Sequence, residues 1–155
     1  MENKTKWTEA DFDDWSWHDA QIKSISLDQE EEFQNDLVLD LDFILEWICR
    51  ENQLFHFQMA PAELRFSRVH NLNLSFKLTF KEALVINSIE RFGIIDKGFK
   101  TFHWIIKLHH ILENRIEFDA SSCIQVLTGV PVETDEQHLS KVQRQQSIQA
   151  LRTLK

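Results

Sequence analysis

The chain has 155 residues, of which 43% are hydrophobic and 27% are charged, and its formal net charge is −8. This length fits a single domain, residues 1–155, and the composition excludes a disordered chain. The negative charge argues against nucleic-acid binding, because the phosphate backbone attracts basic proteins.

Targeting signals and membrane spans are not apparent in the sequence. Residues 1–7 carry charged side chains and no apolar h-region, and no stretch approaches 18 uncharged apolar residues. The two cysteines, Cys49 and Cys123, are interpreted as buried reduced thiols, although a single bridge between them stays open. We therefore expect a cytoplasmic protein without membrane association.

The N-terminal part predicts one short helix and one strand. Thr8 and Asp11 have the spacing of a helix start, so a helix is expected near residues 8–14. A first strand is expected over residues 20–27, where Ile25 and Leu27 alternate with polar residues.

The clearest pattern is a strict alternation of apolar residues from Leu37 to Trp47, with Asp40 and Asp42 between them. A helix would spread these apolar residues around its surface, whereas a strand places them on one face. The segment 36–48 is long for one strand, so strong twist or a β-bulge is expected. The pattern leaves open whether it forms one strand or two.

Alternation continues through the rest of the chain. Pro61 is expected to interrupt the ladder of hydrogen bonds. Further strands are predicted over residues 55–59, 62–66, 72–80, 84–92, 102–108, 116–120 and 123–128. Thr134 and Gln137 have capping-box spacing and predict a C-terminal helix through Val142 that frays from Gln146 onwards.

These elements predict a mainly β (α+β) fold with short N-terminal and C-terminal helices. The strands alternate apolar and polar residues, which is typical of antiparallel sheets with one solvated face. Eight or nine strands are too many for a flat open sheet, so a strongly curved sheet, a sandwich or a partly closed barrel is expected.

The segment Trp15, Trp17, His18 and Asp19 is the first candidate for function. Histidine and aspartate are general acid and base types, and tryptophan anchors protein partners. The structural alternative is that the tryptophans cover the end of the core while His18 and Asp19 cap the first strand.

Asp40 and Asp42 are the second candidate, because paired carboxylates bind hard cations or hydrolyse glycosides. The structural alternative is the ordinary charged face of a strand. Neither pair is accompanied by a nucleophile motif or a phosphate-binding glycine loop.

A zinc site built from His103, His109 and His110 is not expected. Residues 103 and 109 would lie about 20 Å apart along an extended strand, and adjacent residues point to opposite faces. We therefore expect no metal, no cofactor and no catalytic residue.

Several short motifs carry a resemblance to known proteins. They are Trp17-His18-Asp19, Ile22, Leu39-Asp40-Leu41-Asp42, Trp47, Pro61-Ala62-x-Leu64-x-Phe66-x-x-Val69-x-x-Leu72, Phe118-x-Ala120, Gln125 and Gly129-x-Pro131. In these the chain resembles a group of small, largely uncharacterised bacterial proteins and is similar to immunity proteins of bacterial polymorphic toxin systems. The resemblance implies a β-rich cytosolic domain that binds and blocks a cognate toxin, and it implies no catalytic residue.

The leading interpretation is a non-enzymatic protein-binding domain, as an immunity protein would be, with a basic toxin as partner. Electrostatic attraction would steer an acidic inhibitor to such a partner. Its candidate contact residues are Trp15, Trp17, His18, Asp19, Asp40 and Asp42. The alternatives are a small hydrolase-like enzyme using His18/Asp19 or Asp40/Asp42, and a structural or oligomeric module. The sequence does not predict the oligomeric state.

Overall fold

In the part of the chain that the structure describes, ten strands pair into one antiparallel sheet that does not close on itself. The computed structural model describes residues 4–29, 32, 34–52, 54–79, 82–96, 98–109 and 113–154. The strands are β1 (Lys6–Thr8), β2 (Gln21–Asp28), β3 (Asp36–Cys49), β4 (Phe55–Ser67), β5 (His70–Ser75), β6 (Leu84–Asp96), β7 (Phe99–Leu108), β8 (Arg115–Ala120), β9 (Ser122–Leu127) and β10 (Val132–Thr134). Their order is β1-β9-β4-β3-β2-β6-β7-β8-β5, and β10 pairs with β4 beside β9. The prediction of a mainly antiparallel β fold is confirmed.

The main core lies between the two halves of this sheet. Leu39 and Leu41 of β3, Phe66 of β4, Trp104 of β7 and Phe118 of β8 are all buried in one hydrophobic cluster. The halves are joined between β2 and β6, where the ladder has only two paired positions, at residues 21–22 and 84–85. A sheet that is narrow at its middle can bend there, so that its two halves share one set of apolar side chains.

Residues 36–48 form one strand, and the predicted irregularity is present. The register against β4 shifts between Ile44 and Glu46, which leaves Leu45 as the extra residue of a bulge. A one-residue shift exchanges the two faces of a strand. Trp47 therefore shares a face with Ile44, and the prediction that it lies with Leu37 and Leu41 was wrong.

Pro61 does not interrupt the sheet, contrary to the prediction, because it faces a gap between two partner strands. β10 pairs with residues 57–59 of β4, and β9 pairs with residues 62–67. The carbonyl of Pro61 points to that side and accepts from Thr128 N–H at 2.8 Å. In an antiparallel strand the N–H and C=O of one residue point to the same side, so the missing N–H faces the gap.

A helix lies near each end of the chain, and the C-terminal helix differs from its prediction. The short helix expected near residues 8–14 is a 3₁₀ helix, Glu9–Asp14. The C-terminal helix α1 (Lys141–Thr153) begins after Ser140, whose side chain accepts from Gln143 N–H. Thr134 instead ends β10 and accepts from Glu136 N–H. The predicted fraying from residue 146 is also wrong, since α1 continues to Thr153.

Helix α1 covers part of the face of β3 that was expected to be solvated. The side chain of the buried Ser147 donates to Val130 O at 2.6 Å, and Val130 N–H donates to Ser147 O. A Cβ at Gly129 would lie 2.2 Å from Ser147 Oγ and 2.9 Å from Pro61 Cδ. Helix α1 can therefore pack this closely against the segment at residue 129 only because that residue is glycine.

Candidate functional site

The candidate residues Trp15 and Trp17 pack in or against the hydrophobic core. Trp17 is 6% exposed, stacks on Phe12 with ring centroids 5.4 Å apart, and donates from Nε1 to Gln125 Oε1 at 2.8 Å. Trp15 packs edge to face on the buried Trp7 at 4.7 Å. This is the structural alternative considered above, and it leaves Trp17 little surface for a partner.

Asp40 and Asp42 are engaged by helix α1. Both carboxylates pair with the guanidinium of Arg144. Asp42 has no exposed surface, accepts from Leu139 N–H at 3.1 Å and lies 3.3 Å from the ammonium of Lys23. The pair therefore docks the C-terminal helix, and a hydrolytic role for it would require Arg144 to move away.

His18 and Asp19 are brought together with a residue that the sequence did not connect to them, His109. Asp19 Oδ1 lies 3.5 Å from His18 Nε2 and 2.9 Å from His109 Nε2. The two imidazole rings have centroids 5.0 Å apart. We call these three residues the His–Asp–His cluster. The side chain of His18 is 50% exposed, so the cluster opens to solvent.

Strand β6 positions all three members of the His–Asp–His cluster. The carbonyl oxygen of residue 85 accepts a hydrogen bond from His109 N–H at 2.9 Å, and that of residue 86 accepts one from Asp19 N–H at 2.8 Å. The carbonyl oxygen of residue 87 accepts one from the side-chain Nδ1 of His18 at 2.8 Å. Asp19 also has a positive φ of 67°, a conformation that aspartate tolerates better than most residues. The cluster is thus held from one strand, and its side chains need little reorganisation to bind a ligand.

Chemically, the His–Asp–His cluster can bind a cation or pass a proton. Imidazole nitrogens and a carboxylate oxygen are both acid–base groups and ligands of transition metals. Gln137, in the segment before α1, approaches the second oxygen of Asp19, with Nε2 3.4 Å from Oδ2. That contact helps to orient the carboxylate.

The other histidines considered from the sequence do not join this cluster. His103 lies 2.7 Å from Asp119 Oδ1 and 3.1 Å from Glu117 Oε1. The hydrogen bond to Asp119 is the main reason that the pKa of His103 is raised, and Glu117 adds to it. His110 lies outside the described residues.

The two cysteines differ in exposure. Cys123 is buried, and burial raises the pKa of its thiol to about 12. Cys49 is exposed, so the expectation that both thiols are buried was wrong. Both are free.

The β3–β4 hairpin carries an exposed apolar surface that the sequence analysis missed. Trp47 is 46% exposed, Leu54 61% and Phe55 54%. Trp47 packs edge to face on Phe55 and on the buried Phe57 at 6.1 and 4.9 Å. We call Trp47, Leu54 and Phe55 the aromatic tip. The bulge at Leu45 produces it, and no periodicity in the sequence predicts where such a shift falls.

No protein-family model, curated protein or solved structure matches this chain. Of the helices that the structure describes, none is long and apolar enough to cross a membrane.

Proposed function

We propose that this chain is a non-enzymatic, cytoplasmic protein-binding domain whose main contact surface is the aromatic tip. The observation that carries the proposal is the continuity of this surface with a buried cluster. Ile44, Phe57 and Met59 pack with Leu139 on the second face of the sheet. The same face continues outward to the aromatic tip, where the chain's own C-terminal segment no longer covers it.

Such a surface has the composition of a binding hot spot. Tryptophan and other aromatic side chains at the centre of interfaces contribute most of the binding free energy. Contiguous apolar side chains that are rimmed by polar residues commonly mark interaction sites. Here the exposed Glu46 directly precedes Trp47 in the chain, and the exposed Glu51 lies in the turn before Leu54.

Charge favours a basic partner. The chain has a net charge of −8, and the nearby Arg50 is paired with Glu133. A chain with this net charge, in which Arg50 is neutralised by an ion pair, would attract a basic protein to this end of the sheet. A basic toxin of the kind that immunity proteins neutralise fits this description and the sequence resemblance, so we retain the immunity role as the specific form of the proposal.

Site-specific photo-crosslinking in cells of the source organism tests the proposal. A photoreactive phenylalanine analogue replaces Phe55, and the same analogue at Phe92 is the control, because Phe92 is 51% exposed on β6 and lies outside the tip. We expect one discrete adduct with a basic protein from position 55 and none from position 92. Reversing the charge at Glu46 and Glu51 should reduce the adduct.

Two results would count against this proposal. Equal adducts from both positions would indicate nonspecific contact. An adduct consisting of two copies of this chain would instead support the structural or oligomeric alternative.

A further inference from the structure

We propose that His18, Asp19 and His109 form a binding site for a divalent transition-metal ion, with zinc the ion that fits best. One ligand atom from each residue lies within 4.8 Å of the other two. Bonds of about 2 Å to a tetrahedral zinc ion place neighbouring ligand atoms about 3.3 Å apart. The distances from Asp19 Oδ1 to the two Nε2 atoms, 2.9 and 3.5 Å, bracket that value.

The hydrogen bonding of His18 selects the tautomer whose Nε2 can bind a metal ion. Its Nδ1 lies 2.8 Å from Asn87 O, and a carbonyl oxygen can only accept, so Nδ1 carries the proton. In the neutral ring the lone pair is then on Nε2, the atom that faces Asp19 Oδ1. A lone pair and a carboxylate oxygen repel each other unless a cation lies between them. Histidine ligands of metals typically donate their other N–H to a carbonyl in this way.

The backbone of the site is organised before any ion arrives. His18 and Asp19 precede β2, and His109 follows β7, yet three consecutive carbonyls of β6 fix them together. The three ligand atoms already lie within 4.8 Å of one another. Gln137 supports the carboxylate from its other oxygen, as residues around metal ligands commonly do.

The donor set selects the class of ion. Two imidazole nitrogens and one carboxylate suit zinc and its first-row neighbours, whereas calcium and magnesium require mostly oxygen ligands. Three protein ligands on an open surface leave at least one position for water or for a group supplied by another molecule. None of these residues belongs to the aromatic tip, so the metal site and the protein-binding surface can be tested separately.

Calorimetric titration of the full chain with zinc chloride at neutral pH, after treatment with EDTA and dialysis, tests this site. We expect one zinc ion per chain. His18→Ala, His109→Ala and Asp19→Asn should each weaken binding at least about tenfold, since even the loss of a residue that only supports a ligand has this effect. Asparagine also tolerates a positive φ, so Asp19→Asn removes the charge while preserving the backbone.

His70→Ala is the matched control, because His70 lies on β5 beside Asp119 and away from the His–Asp–His cluster. It should bind zinc as the unmodified chain does. Zinc at 100 times its dissociation constant should also raise the melting temperature by about 5–10 °C, an effect that the three ligand variants should lose.

The proposal is overturned if the unmodified chain binds no zinc, if His18→Ala and His109→Ala bind it unchanged, or if His70→Ala loses binding equally. The first outcome would mean that the close approach of the three ligand atoms is a structural contact and not a metal site. Cobalt provides a second readout, because coordination by these residues should give visible absorption bands that the variants lack.

Discussion

Phe66 of β4 and Trp104 of β7 pack edge to face, with ring centroids 5.0 Å apart and an interplanar angle of 67°. They come from opposite halves of the sheet, so this contact joins the halves across the core. Both are buried, and Trp104 also donates from Nε1 to Ala120 O at 3.2 Å.

Removing the Phe66 ring should therefore be costly. We expect Phe66→Ala to lower the free energy of unfolding by about 3–5 kcal/mol, because it leaves a large cavity. Phe92→Ala, at a half-exposed position on β6, should change the free energy of unfolding by at most about 1 kcal/mol. Urea unfolding followed by tryptophan fluorescence measures both. Equal losses would mean that Phe66 does not join the two halves.

The close approach of α1 to residue 129 gives a second prediction. Gly129→Ala places a Cβ against Ser147 and Pro61, and the overpacking should destabilise the fold by about 1–3 kcal/mol. Gly93→Ala is the control, since a Cβ there meets no atom within 4 Å. Thermal unfolding by circular dichroism distinguishes them, and a neutral Gly129→Ala would show that α1 can shift outward.

Arg144 pairs with Asp42, which has no exposed surface. Arg144→Met should cost about 3 kcal/mol, because it removes the guanidinium from a buried carboxylate and leaves it with Lys23 and the Leu139 N–H as partners. Lys107→Met, which breaks an exposed pair with Glu90, should cost at most about 1 kcal/mol. Chemical denaturation of both variants gives the comparison. A small loss of stability in Arg144→Met would mean that the Asp42 carboxylate becomes hydrated when the ion pair is broken.

The pKa of His103 should lie above 6.5, the ordinary value for histidine. Its hydrogen bond to Asp119 favours the imidazolium, so Asp119→Asn should lower the pKa of His103. The stabilisation by this pair is fully present below the unfolded-state pKa of histidine and is lost as the pH rises through the folded-state value. NMR titration of the His103 ring protons in the unmodified chain and in Asp119→Asn checks this. A His103 curve that Asp119→Asn leaves unchanged would contradict it.

The cysteines should react at very different rates. The exposed Cys49 should be labelled by a thiol reagent at neutral pH, whereas Cys123 should react only after unfolding, because its pKa is about 12 and it is buried. Counting labelled thiols with and without denaturant, and in Cys49→Ser, provides the measurement. Labelling of Cys123 in the folded Cys49→Ser variant would be inconsistent with a buried position for this thiol.

The strand pattern was predictable because it depends on local alternation. Leu37, Leu39 and Leu41 face the core as the period of two requires. The positions of Trp47 and Pro61 were not predictable, since one depends on a bulge and the other on a gap between two neighbouring strands. Such features follow from the pairing of distant segments, which a single sequence does not show.

The candidate site was predictable only in part for the same reason. His18 and Asp19 are adjacent in sequence and stood out, but His109 is far from them in the chain. Only the strand order β2-β6-β7 brings it near. The spacing of His103, His109 and His110 along one strand does not reveal this cluster, because the partners of His109 lie across the sheet.

The open sheet ends on two strands that are poorly suited to recruit another chain. β1 has only three residues, and β5 begins with an irregular register and a positive φ at Asn71. An unpaired strand that is short or kinked offers few aligned N–H and C=O groups to a neighbour. The growth of a continuous cross-β sheet from either of these two edges is therefore disfavoured, even though more than half of the residues lie in strands.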